Sequence, residues 1–67
     1  MITIELTQRQ IDDLNQLNHT TVSVPTSEAP FTRNRVKAGG HVCVVTCVAH
    51  DDFTGLSTIS LMMGSLD

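Results

Sequence analysis

The chain has 67 residues, of which 19 are Leu, Ile, Val or Phe, enough apolar content for one small domain to fold. Four Lys+Arg against seven Asp+Glu give a net charge of −3, which excludes a strongly basic nucleic-acid arm, an acidic tail and a highly charged DNA mimic. No apolar run reaches the roughly 18 residues of a membrane span, and no basic segment leads into an apolar one as in a signal peptide.

Met1–Leu6 alternates Ile2, Ile4 and Leu6 with Thr3 and Glu5, the pattern of a half-buried strand. Thr7-Gln8-Arg9-Gln10 fits a capping box, with Thr7 as N-cap and Gln10 three positions on. Leu6 and Ile11 then occupy the two positions of a hydrophobic staple. The helix runs on with Ile11, Leu14 and Leu17 as its apolar stripe, and Asn18 can end it in the left-handed conformation.

Thr20–Val24 is β-branched and stops at Pro25, which suits a short strand. Residues 25–30 have loop composition. Phe31–Lys37 alternates again, and Ala38-Gly39-Gly40 reads as a turn. His41–His50 is uncharged and Val-rich on both faces, as expected of a central strand covered on both sides. Asp51-Asp52-Phe53-Thr54-Gly55 has hairpin-loop chemistry, and Leu56–Met63 returns as the partner strand. The order β-α-β-β-β-β predicts an α+β domain: one helix packed on a mostly antiparallel sheet of four or five strands.

A chain this short builds a core worth only about 3–5 kcal/mol, so small domains add a disulfide, a metal or a partner copy. Cys43 and Cys47, four apart in a strand, are separated by about 13 Å. A disulfide needs about 4.4–6.8 Å, so the spacing predicts reduced thiols and a cytoplasmic setting, with a bridge between chains still open. One helix covers one sheet face. The surplus apolar face, represented by Val45, Ile59, Leu61 and Met63, is therefore expected to meet a second copy of the chain.

Three groups of residues suggest chemistry. Arg33, Arg35 and Lys37 alternate along one predicted strand and lead into Gly39-Gly40, a basic ridge suited to an anionic ligand such as a nucleotide or to an acidic partner surface. Charges placed there also protect a strand edge against aggregation. His41, Cys43, Cys47 and His50 are zinc-type ligands, but a strand puts His50 opposite the other three and separates the thiols too widely. His50-Asp51-Asp52 clusters an imidazole with carboxylates, although adjacent Asp residues are also what a hairpin turn selects. No nucleophile motif occurs, and no metal or cofactor is implied.

The expectation is a non-enzymatic, homo-oligomeric binding protein that docks on a macromolecular partner and modulates or inhibits it. A compact chain of this kind fits an accessory protein of a phage or mobile element. Sequestration of a small anion on the basic ridge is the alternative. Three cations on a net-negative chain with two aromatic residues disfavour nucleic acid.

Overall fold

The computed structural model describes residues 2–64. It comprises β1 (Ile2–Ile4), α1 (Gln8–Leu17), β2 (His19–Pro25), a 3-10 turn (Thr26–Glu28), β3 (Arg35–Ala38), β4 (His41–Asp51) and β5 (Leu56–Met63), an α+β fold. The five strands form one curled sheet in the order β1-β3-β4-β5-β2. Every pairing is antiparallel except β1 with β3, which is parallel.

The helix begins and ends where local chemistry directs. The Thr7 hydroxyl accepts from the Gln10 amide at 3.2 Å, and the Gln10 side chain accepts from the Thr7 amide at 2.8 Å. Asn18 closes the helix at φ 60°, and its N–H donates to the Leu14 carbonyl. Only Leu14 of the predicted stripe is fully buried; Leu17 is 68% exposed. The ten-residue helix packs beside β2, with its Ile11 side chain against the β3–β4 turn, so its last turn extends past the core.

The core fills the concave side of the sheet. It contains Ile4, Leu14, Val22, Val36, Ala38, Cys43, Val45, Ile59 and Leu61, with Met63 packed partly against it. Val45, Ile59 and Leu61 are completely buried within the single chain, so the face expected to meet a second copy is the chain's own core. A flat sheet with two apolar faces would need two covers. Curling lets the strands cover one another, and β3–β5 turn Val36, Val45 and Ile59 toward the same interior.

A bulge in β4 makes this possible. Val45 pairs with Leu61 and Cys47 with Ser60, so Thr46 is an extra residue in the ladder. The Thr46 hydroxyl donates to the Ser60 carbonyl at 3.2 Å. Before the bulge Cys43 and Val45 point inward; after it Val48 does, opposite Ile59, while His50, opposite Ser57, is exposed. The uniform alternation expected for His41–His50 therefore breaks at Thr46.

Candidate functional site

The basic ridge is shorter than its sequence suggests. Arg33 lies before β3, in a turn closed by the Asn34 N–H donating to the Phe31 carbonyl at 3.1 Å. Its φ is 75°, and Arg33 and Asn34 together oppose Val45 through Arg33 N–H to Val45 O (2.6 Å) and Val45 N–H to Asn34 O (2.9 Å). This is a bulge with its first residue left-handed, which removes Arg33 from the strand alternation. Arg35 and Lys37 remain, both exposed on the convex face of β3.

Gly39 and Gly40 form the two-residue β3–β4 turn at φ +57° and +83°. A Cβ on Gly39 would lie 2.9 Å from Ile11 Cγ1 and 3.0 Å from Leu6 Cδ1. Close approach at Gly39 thus serves helix packing. Among the described residues Gly40 has no atom within 4 Å of such a Cβ, so there its requirement is the positive φ.

On the convex face the strand register places side chains in rows. Arg35 stands opposite Val44, and Val44 opposite Met62; Lys37 stands opposite Val42. Met62 is 46% exposed, while Val42 and Val44 are partly exposed. The result is an apolar strip bordered by two cations on β3.

The other candidate groups are separated by the fold. Cys43 faces the core and Cys47 is exposed across the bulge, so the predicted common face of the two thiols does not form. His50 is exposed, on the sheet face of buried Ser57, its partner in the ladder. Among the described residues no three His, Cys, Asp or Glu side chains are grouped to hold a metal ion. The Asp51 carboxylate is used in its own hairpin, accepting from the Phe53 amide at 2.9 Å and the Thr54 amide at 3.4 Å.

His50 instead joins a chain of hydrogen bonds absent from the sequence expectations. Its Nδ1 is 2.7 Å from Ser57 Oγ, which is 2.9 Å from Thr26 Oγ1. The hairpin supplied the signal, since a turn pairing Asp51 with Leu56 puts His50 opposite Ser57. A hydroxyl beside an imidazole has the outline of a nucleophile and its base. Ser57 is fully buried, however, so its hydroxyl is out of a substrate's reach and ties β4, β5 and the 3-10 turn together.

Burial pushes the Cys43 thiol up from its ordinary range, which disfavours the reactive thiolate. A thiol reagent at neutral pH is therefore expected to label Cys47 quickly and Cys43 only on unfolding, measured by mass spectrometry. Equal labelling rates would contradict the burial. The raised value has a pH consequence of definite sign: the unfolded thiol loses its proton first, so stability falls as pH rises through the alkaline range.

Among the described residues no helix is long and apolar enough to cross a membrane. Comparison with protein-family models, curated proteins and solved structures yielded no match.

Proposed function

We propose that this chain is a small non-enzymatic binding protein that self-associates and docks on a macromolecular partner through the convex face of β3, β4 and β5. The observation that supports it is the strip of Val42, Val44 and Met62 beside Arg35 and Lys37. The helix packs against β2, leaving this face to other contacts. A partner surface with an apolar centre and carboxylates along one side complements it, because the apolar centre releases water and the charges fix the orientation.

The same strip supports pairing between copies. Burial of apolar surface favours association by about 25 cal/mol per Å², whereas a lysine ammonium at the centre of the seam loses hydration without a partner. Sedimentation at micromolar concentration is expected to give a dimer or larger species for the natural chain. Val44→Lys is expected to give a monomer with an unchanged circular dichroism spectrum. A natural chain that sediments only as a monomer would remove self-association from the function.

A further inference from the structure

The two outer strands of the curled sheet, β1 and β2, line one cleft of about 370 Å³. Among the described residues each is paired on one side only, β1 with β3 and β2 with β5. The ladder phases show which backbone groups face the cleft.

For β2, Met63 N–H donates to Asn18 O at one end and Thr26 N–H to Gly55 O at the other. With alternation of two, Thr20, Val22 and Val24 turn their backbone groups to β5, and Thr21, Ser23 and Pro25 turn theirs away. The Gln10 side-chain amide confirms this phase independently by donating to the Thr21 carbonyl at 3.0 Å. For β3, the Val45 N–H to Asn34 O bond sets the even residues toward β4, so Arg35 and Lys37 turn their backbone toward β1. In the staggered parallel ladder these meet Ile2 and Ile4, which leaves Thr3 facing outward.

The cleft therefore has Thr3 on one wall, and on the other Ser23 with the carbonyl of Pro25, all presenting strand groups that no ladder among the described residues uses. Ile4 and Val22 form its apolar floor. Among the described residues Glu5 and Glu28, both exposed, are the charged residues that line it, and no Lys or Arg does.

The geometry points to a slot for one extended peptide segment of another protein, carrying Lys or Arg, that inserts between β1 and β2 and completes the sheet. The two walls run in opposite directions, so an inserted strand is parallel to one and antiparallel to the other. Main-chain hydrogen bonds supply the affinity, alternate side chains enter the apolar floor, and the remaining cations meet Glu5 and Glu28. Gln10 covers Thr21 and so bounds the slot at the helix end. This surface is separate from the convex strip, so its test does not depend on self-association.

The probe is a capped six-residue peptide alternating valine with lysine, with a valine–glutamate peptide as control, titrated into the 15N-labelled chain. Saturable shifts of the Thr3 and Ser23 amides are expected, with slowed hydrogen exchange at both and weaker binding of the glutamate peptide. Ser23→Pro removes an N–H that serves no internal ladder, so the fold tolerates it as edge strands tolerate proline. Loss of that bond, together with the clash of the ring with the incoming strand, is expected to weaken the lysine peptide by about tenfold or more. Should Ser23→Pro fail to fold, the double substitution Glu5→Gln and Glu28→Gln is the second variant, expected to erase the preference for lysine over glutamate. The inference is overturned if the lysine peptide leaves the Thr3 and Ser23 amides unmoved, or binds folded Ser23→Pro as well as the natural chain. Equal binding of the lysine and glutamate peptides also overturns it.

Discussion

Leu14→Ala is expected to leave little folded protein at room temperature. Leu14 is the single fully buried side chain of α1. Truncating a buried leucine costs about 2–5 kcal/mol, through lost transfer energy and the cavity left behind. A core of this size supplies only about 3–5 kcal/mol in total, so the loss is of the same order as the whole stability. Leu17→Ala is the matched control, one turn along the same stripe but 68% exposed, where alanine's helix propensity offsets what little contact is lost. Urea unfolding followed by circular dichroism separates the two: Leu17→Ala keeps a midpoint near the natural one, and Leu14→Ala moves it close to zero denaturant. Equal midpoints would mean that the helix is not anchored through Leu14.

Gly39→Ala carries the second large effect, and its comparison with Gly40→Ala assigns the cause. Both positions have positive φ, +57° and +83°, and the left-handed backbone costs an L-residue about 1–2 kcal/mol. At Gly40 that is the whole cost, because the new methyl meets nothing within 4 Å among the described residues. At Gly39 the methyl lies 2.9 Å from Ile11 Cγ1 and 3.0 Å from Leu6 Cδ1. Overpacking adds about 1–3 kcal/mol, depending on how far these two side chains can give. Gly39→Ala is therefore the more destabilising, and adding Ile11→Ala is expected to recover part of the difference. Such coupling belongs to residues in contact and is absent between distant ones. Equal melting temperatures for the two glycine variants would refute close packing of α1 on the turn.

The helix limits were legible because they rest on short-range chemistry. The capping box of Thr7 and Gln10 and the left-handed Asn18 both lie within a few residues of what they bond. The Gly39-Gly40 and Asp51–Gly55 hairpins were legible for the same reason, since only certain residues adopt positive φ cheaply. The bulge at Thr46 was harder to see. Its trace is the inward pair Val45 and Val48, three apart where a regular strand demands two, yet a run of valines on both faces conceals the slip. Arg33 was misplaced through a related gap: alternation of charge looked like a strand, while the turn after Pro30 gave the residue a left-handed backbone. The cations that share one face of β3 are therefore Arg35 and Lys37, beside an apolar strip.

By itself the sequence determined the α+β class, the order of elements, the capped helix and the antiparallel terminal hairpin, all products of periodicity and local bonding. Only the tertiary structure decided which side of the sheet is interior. Whether Val45, Ile59 and Leu61 face a neighbour or their own chain depends on curvature, and curvature arises from strand twist and bulges summed across five strands. It likewise brought β1 and β2, which pair with neither each other nor consecutive strands, to the two walls of one cleft.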